Sequence, residues 1–220
     1  MALIQHLKFC LCRYIPGVNF LLTYRRLKSY YSIYSLGHRS ETTKIGYPFL
    51  VTNPKNVYLY DYTRINPGAK IITYTGKFVL KKYSVIAYGC TIVTGNHIPT
   101  VGIPQYVLGH NHLNDKEKDI IVDEDVWIGA NATLLAGCHI KRGAVIGACA
   151  LVNREIPPYA VIVGIPARII ASKFTIEQIL KHEEKIYPPE ERFTRKELEA
   201  LFKFYYKGMK SIGSDISSVE

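Results

Sequence analysis

A six-residue repeat runs through the middle of the chain, from residue 122 to residue 152. A branched aliphatic residue opens each six, and a small or short apolar residue stands four places later. The opening residues are Val122, Ile128, Leu134, Ile140, Ile146 and Val152, and the small residues are Val126, Ala132, Cys138, Ala144 and Ala150. A period of six matches neither the helical period of about 3.6 nor the strand period of about 2. It is typical of a β-helix, whose stacked coils bury a core that no single coil could bury alone.

In this interpretation each six is one short strand followed by a corner. The large aliphatic side chain points inward, and the small residue fills the corner, where space is tight. Further sixes can be traced over residues 59–71 and 80–92. The step between these two runs is three residues longer than one repeat, and we expect Gly76 and Lys77 to absorb it as a bulge or loop.

The repeat is interrupted between Ile92 and Val122. Residues 96–118 hold prolines, glycines and asparagines at irregular spacing, which is typical of a loop. A loop of this length inside a compact repeat is usually functional or disordered. We expect it to project from one corner, with the repeat resuming near Ile120.

The two ends of the chain do not show the repeat. Residues 1–40 carry apolar positions at helical spacing beside Arg25 and Arg26, which predicts an N-terminal helical arm. This arm either caps the open end of the β-helix or contacts anionic lipid. Two capping-box patterns, Thr175–Gln178 and Thr194–Glu197, predict two helices in a C-terminal extension. The predicted domains are therefore the arm (1–40), the β-helix (41–172) and the extension with its tail (173–220).

The composition narrows the range of partners. The chain has 220 residues and a net charge of +10, which favours an anionic partner such as a phosphate-bearing cofactor, nucleic acid or membrane, unless the basic surface is merely solvated. Five scattered cysteines do not make a disulfide framework, so we expect reduced thiols and a cytoplasmic protein, with the arm allowing peripheral contact with the inner membrane. No run of about 20 apolar residues is present.

Five short motifs give the chain a family resemblance. They are Thr94–His97, Asp125–Gly129, Gly143–Ala148, Ile156–Val161 and Gly164–Arg168. Over residues 57–172 the chain resembles the hexapeptide-repeat acyltransferases, and among them the bacterial sugar and polysaccharide O-acetyltransferases. The resemblance implies an all-β fold, a left-handed parallel β-helix that forms a homotrimer. It also implies that acetyl-CoA lies between adjacent subunits as the acyl donor, that a sugar or glycan is the acceptor, and that nucleic acid is not a partner.

The resemblance also assigns roles to single residues near the loop. Transfer of an acetyl group to a hydroxyl needs a base that removes the hydroxyl proton, and histidine suits this task near neutral pH. His97 matches the catalytic histidine of the family, at the last regular position before the loop. Asn96, His112 and Trp127 are expected to bind or shape the acceptor pocket, and the Trp127 indole is expected to face outward.

A second set of residues is assigned to the cofactor. By motif, contacts with coenzyme A fall on Ala130 and Ala148, where small side chains let the pantetheine arm approach the backbone, and on Asn153 and Arg154. Arg168 is expected to pair with a phosphate.

Two other enzyme classes remain open. The same histidine and groove would serve a xenobiotic acetyltransferase that modifies an antibiotic hydroxyl. A zinc-dependent β-helix enzyme would need three convergent histidines, and the H-x-H pair of His110 and His112 gives at most half of a metal site. We therefore expect no metal.

Overall fold

The computed structural model describes Tyr24 and residues 35–215, and its central part is a stack of three-sided coils. Three sheets form the sides, here called walls A, B and C. Wall A consists of β1 (His38–Arg39), β4 (Val57–Leu59), β7 (Phe78–Leu80), β10 (Ile120–Val122) and β13 (His139–Ile140). Wall B consists of β2 (Lys44–Ile45), β5 (Arg64–Ile65), β8 (Val85–Ile86), β11 (Trp127–Ile128), β14 (Val145–Ile146), β16 (Ala160–Val163) and β17 (Arg168–Ser172). Wall C consists of β3 (Leu50–Val51), β6 (Lys70–Ile72), β9 (Thr91–Val93), β12 (Thr133–Leu135) and β15 (Leu151–Val152).

The strand register stacks the predicted inward residues in columns. On wall B, Ile65 pairs with Ile86, Ile86 with Ile128, Ile128 with Ile146, and Ile146 with Ile162. All five side chains are fully buried. Burying one such side chain contributes roughly 1.5–3 kcal/mol. The hexapeptide interpretation, with the large aliphatic residue pointing inward, is confirmed.

The corner positions are also as predicted. The small residues of the five sixes are buried, with exposed fractions of 2% or less; they are Val126, Ala132, Cys138, Ala144 and Ala150. A larger side chain at these corners would overpack the core, which typically costs 1–3 kcal/mol. This explains why only small or short apolar residues occur there.

A further coil, β1 to β3, precedes the first traced six. Its strands pair in register with the next coil, Arg39 with Leu59, Ile45 with Ile65, and Val51 with Ile71. The repeat was not recognisable here because the wall A position is Arg39, which is exposed, instead of an aliphatic residue. The domain boundaries at residues 40 and 172 stay predictions.

The projecting loop contains a short helix. After β9 the chain leaves the coil, forms α1 (Gln105–Asn111) and returns to β10 at Ile120, as predicted. Leu108 of α1 is fully buried and fixes the helix in place. The sequence did not predict a helix within the loop. The helix has only seven residues, and Pro104 at its N-cap makes no side-chain cap hydrogen bond, so it has little sequence signature.

The C-terminal extension begins with a reversal of the chain. β17 pairs antiparallel with β16, and helices α2 (Ile176–Ile186) and α3 (Arg195–Tyr205) follow. Both predicted capping boxes are confirmed, because the Thr175 and Thr194 side chains each accept from the backbone N–H three residues on. Short 3-10 helices occupy Pro54–Asn56 and Pro189–Glu191.

Two carboxylates attach α2 to the β-helix. Buried Glu183 accepts hydrogen bonds from the Tyr159 hydroxyl (2.9 Å) and from Arg142 Nη1 (3.3 Å). Asp125 pairs with Lys173 Nζ at 2.6 Å and with His182 Nε2 at 3.1 Å. The extension is therefore fixed to the coils by charged contacts as well as apolar packing.

The predicted N-terminal arm lies outside the described residues, apart from Tyr24 and residues 35–40, so its helices and its membrane contact stay predictions. Among the residues that the structure does describe, no helix combines the length and apolar character needed to cross a membrane.

Candidate active site

The projecting loop leaves the coils at the edge between walls C and A, here called the loop edge. A cavity of about 460 Å³ opens at this edge. Its lining includes Tyr74 from the coil below, Asn96 and His97 from the start of the loop, and His112 and Glu117 from its return. The structure thus brings together three of the predicted site residues, Asn96, His97 and His112.

One carboxylate holds two histidines at this cavity. Asp115 Oδ1 lies 2.8 Å from His97 Nδ1, and Asp115 Oδ2 lies 2.8 Å from His112 Nδ1. An ionised carboxylate only accepts hydrogen bonds, so each neutral imidazole must carry its proton on Nδ1, which leaves Nε2 as an unprotonated acceptor. The hydrogen bond from His97, together with that from His112, holds the pKa of Asp115 below its ordinary value.

The backbone and an aromatic ring fix His112 in turn. His112 is the C-cap residue of α1, with a left-handed φ of 51°, and its N–H bonds to the Leu108 carbonyl. Its ring stacks on Tyr74 with centroids 4.0 Å apart and planes 3° apart. The short helix that sequence analysis missed therefore positions a predicted site residue.

The other histidine of the H-x-H pair is separated from this cluster. His110 stacks against Tyr106, with ring centroids 6.1 Å apart, and does not line the cavity. The H-x-H spacing therefore does not describe the cluster, whose members are instead His97, His112 and Asp115. Asp115 was not assigned a role from the sequence. Its position three residues after His112 was the available signal, but the contact with His97 spans 18 residues.

The same three side chains are the kind of group that can hold a metal ion. One ligand atom from each of His97, His112 and Asp115 lies within 4.8 Å of the others. Two imidazoles and a carboxylate are ligands that zinc accepts. Here both Nδ1 atoms are already hydrogen-bonded to the carboxylate, which is also the arrangement that orients a catalytic imidazole.

Trp127 faces outward, as predicted, but lies far from this cavity around the coil. It belongs to β11 on wall B, its side chain is about half exposed, and its strand neighbours are Val85 and Val145. Wall B lies opposite the loop edge in a three-sided coil. Within one chain, Trp127 therefore does not line the cavity of His97, and its expected role in shaping the acceptor pocket stays a prediction.

The residues assigned to the cofactor fall into two groups. Ala130 and Ala148 lie on the edge between walls B and C, and Asn153, Arg154 and Arg168 lie at the end of the β-helix, where Asn153 and Arg154 follow β15 towards wall A. Ala130 and Ala148 lie in successive coils at that edge, and Ala130 is half-buried while Ala148 is exposed. Their short side chains leave the backbone of this edge accessible. Such an accessible backbone fits an extended ligand lying along the edge.

The basic residues meet at the end of the β-helix. Arg154 Nη2 donates to the Ala167 carbonyl at 2.8 Å, and Arg168 Nη1 donates to the same oxygen at 3.1 Å. Both arginines and Asn153 are exposed. Two guanidinium groups on one carbonyl leave several donors free for an anion, and they fit a phosphate-bearing ligand.

Comparison with known proteins supports the repeat assignment. Residues 119–154 match the family described as "Bacterial transferase hexapeptide (six repeats)". A chloramphenicol acetyltransferase from Klebsiella aerogenes is 42% identical over 64 residues, 29% of this chain and 30% of that protein. A 2,3,4,5-tetrahydropyridine-2,6-dicarboxylate N-acetyltransferase from Staphylococcus aureus is 37% identical over 62 residues, 28% of this chain and 26% of that protein. The matches thus span less than a third of these relatives' lengths.

Solved structures show the same architecture over more of the chain. A hexapeptide-repeat-containing acetyltransferase from Vibrio cholerae superposes with a TM-score of 0.57 and 22% identity, covering 79% of this chain and 90% of that one. A maltose O-acetyltransferase from Clostridium difficile 630 superposes with a TM-score of 0.54 and 20% identity, covering 76% and 84%. The chain therefore carries a bacterial transferase hexapeptide repeat, folded as the left-handed parallel β-helix of the hexapeptide-repeat acetyltransferases.

Proposed function

We propose that this protein is an acetyl-CoA-dependent O-acetyltransferase that acts on a hydroxyl of a sugar or surface-polysaccharide precursor. The observation that carries the proposal is the pairing of His97 Nδ1 with Asp115, which leaves Nε2 as the acceptor atom of a histidine that lines the cavity. The Vibrio cholerae acetyltransferase was also solved as a complex with acetyl-CoA, which supports this donor.

His97 is the general base in this proposal. Acetyl-CoA supplies a thioester carbonyl to be attacked. His97 Nε2 takes the proton of the acceptor hydroxyl as the hydroxyl oxygen bonds to that carbonyl, and the Asp115 carboxylate stabilises the imidazolium that forms. The same proton then passes from Nε2 to the departing thiolate sulfur. General-base catalysis of this kind is typically worth about 10²–10⁴-fold in rate.

The donor groove is assigned to Ala130, Ala148 and Asn153, with Arg154 and Arg168 at its phosphate end. Ala130 and Ala148 lie on the edge between walls B and C, whereas Asn153 and Arg154 follow β15 on the loop edge, two coils beyond His97. The part of the groove at Ala130 and Ala148 therefore does not meet the cavity of the same chain. A second copy that brings its wall B against the loop edge would join them and would place Trp127 near His97. This geometry supports the proposal of a homotrimer, in which each of three sites uses two subunits.

A second candidate function is acetylation of an antibiotic hydroxyl. The specific observation in its favour is the match to chloramphenicol acetyltransferases, at 42% identity over 64 residues. That match covers 29% of this chain, and the base and groove would serve both acceptors alike. The sugar proposal draws on the family motifs and on the similarity of fold to a maltose O-acetyltransferase.

The experiment is a free-thiol assay with acetyl-CoA against sugars, glycolipids and chloramphenicol, in the presence of a chelator. Acetyl-CoA-dependent thiol release with a sugar, unchanged by the chelator, is the expected result. Release with chloramphenicol alone would favour the antibiotic function, and loss of rate with the chelator would assign the His97–His112–Asp115 cluster to a metal. Light scattering on the same sample should report three times 25.0 kDa.

A further inference from the structure

Glu117, in the returning arm of the projecting loop, is held by an unusual number of donors. Its Oε2 accepts from three consecutive backbone N–H groups, those of Tyr74 (3.2 Å), Thr75 (2.9 Å) and Gly76 (2.5 Å). The Thr94 hydroxyl donates to the same oxygen at 2.9 Å. Consecutive amides that point at one anion form a concave anion site, and here the chain's own carboxylate occupies it.

This contact lies at an interruption of the six-residue repeat. Residues 74–76 lie in the step between Ile71 and Leu80, which is three residues longer than a regular six. Two glycines leave room for the carboxylate: a side chain at Gly76 would lie 3.1 Å from Glu117 Oε2, and one at Gly95 would lie 3.0 Å from Glu117 Oε1. The longer step and the two glycines therefore make the space that the Glu117 carboxylate occupies.

The contact keeps Glu117 ionised. Partial burial opposes the charged form, but the donors from Gly76, Thr94, Thr75 and Tyr74 outweigh it, and the pKa of Glu117 lies below its ordinary value. At neutral pH a charge-assisted contact therefore ties the end of the loop to the coil below.

The same turn reaches the candidate catalytic cluster. Tyr74, whose N–H binds Glu117, stacks its ring on His112. His112 shares Asp115 with His97. On the other side of the return, the Lys118 N–H binds the Thr94 carbonyl at 3.1 Å, three residues before His97. Glu117 thus lies between the two chain segments that carry the imidazoles and the turn that carries Tyr74.

We propose that Glu117 is a positioning residue, which sets the placement of Tyr74 and, through it, of His112 and the shared Asp115. The effect on catalysis rests on the proposed function. The effect on the turn itself does not, because it concerns only the hydrogen bonds of residues 74–76.

The test compares Glu117→Ala with Asp119→Ala. Asp119 lies on the same returning arm and accepts from one amide, that of Lys77 at 2.8 Å, without touching Tyr74. We expect Glu117→Ala to lower kcat about 10- to 100-fold, since small misplacements of reacting groups cost up to about 10²-fold. The KM for acetyl-CoA should not change, because Ala130 and Ala148 lie on another edge and the basic donor residues lie two coils away, at the end of the β-helix. Asp119→Ala should stay within about twofold of wild type, and Glu117→Gln should recover part of the loss because its amide oxygen still accepts.

Two further measurements separate positioning from general loss of structure. Amide hydrogen exchange over residues 73–77 should accelerate in Glu117→Ala and not in Asp119→Ala, whether or not an acceptor is known. In a double-mutant cycle, Glu117→Ala and Tyr74→Ala should together cost less than the product of their separate effects. Unchanged exchange in Glu117→Ala, or a kcat equal to that of Asp119→Ala, would overturn the proposal. If the wild-type protein itself released no thiol from acetyl-CoA, that result would overturn the proposed function and not the role of Glu117 in the turn.

Discussion

Wall B and the loop edge are built from the same coils but use their side chains in opposite ways. On wall B five consecutive coils place a buried isoleucine at the same inward position. At the loop edge successive coils differ: one has the turn of residues 74–76, and the next has the loop that begins near His97. The comparison indicates that the repeated positions stabilise the fold, whereas the departures from the repeat bring polar groups together.

The largest effect should come from the loop edge. His97→Asn keeps polarity and approximate size but removes the base, so we expect turnover to fall about 10²–10⁴-fold. Binding of coenzyme A and the mass of the assembly should not change, because His97 is half exposed and lies outside the core. Calorimetry and light scattering provide those controls. A variant that keeps wild-type turnover would place the base elsewhere, with His112 as the next candidate.

Substitutions on wall B should lower stability and leave turnover unchanged. Ile65→Ala on β5 removes a fully buried side chain and should lower the free energy of unfolding by roughly 2–5 kcal/mol. Its strand neighbour Arg64 is exposed, so Arg64→Ala is the matched control and should change stability little. Below its melting temperature Ile65→Ala should retain turnover. A loss of turnover in the still-folded variant would contradict the separation of the two regions.

Asp115 should have an intermediate effect on turnover. Asp115→Asn removes the charged acceptor shared by His97 and His112, and we expect a loss of about 10- to 100-fold, comparable to the loss when the hydrogen-bond partner of a metal-bound histidine is removed. The combined variant with His97→Asn should be little worse than His97→Asn alone, because Asp115 is proposed to act through that ring. Fully multiplicative losses would assign Asp115 a separate role.

The smallest expected effect is the pH dependence of the stability that the Glu117 contact contributes. Because the pKa of this carboxyl is lower in the folded protein than in the unfolded chain, its contribution to stability is fully present above its unfolded value of about 4.3 and is lost as the pH falls through the folded value. The difference in melting temperature between wild type and Glu117→Gln should be constant from about pH 6 to 8 and should shrink below about pH 4. A difference that grows on acidification would contradict the assignment.

The two regions also differ in how far the sequence predicts them. Wall B was predictable because its contacts repeat in every coil. One six-residue period therefore specifies which residues form the strands, which form the corners and which are buried. The contact of Tyr74 with Glu117 spans 43 residues and joins two interruptions of the repeat, each of which alone appears only as a loop. Asp115 was missed for the same reason, and α1 because it is too short to show a period. His97 was found through a family motif and not through periodicity.

The central claim is that Asp115 orients His97 so that Nε2 is free to accept a proton. The most direct test is the ¹⁵N chemical shifts of the His97 ring at a pH where the imidazole is neutral, compared with Asp115→Asn. The account predicts a protonated Nδ1 and an unprotonated Nε2 in the wild type, with this preference lost in the variant. A wild-type His97 that carries its proton on Nε2 would contradict the account.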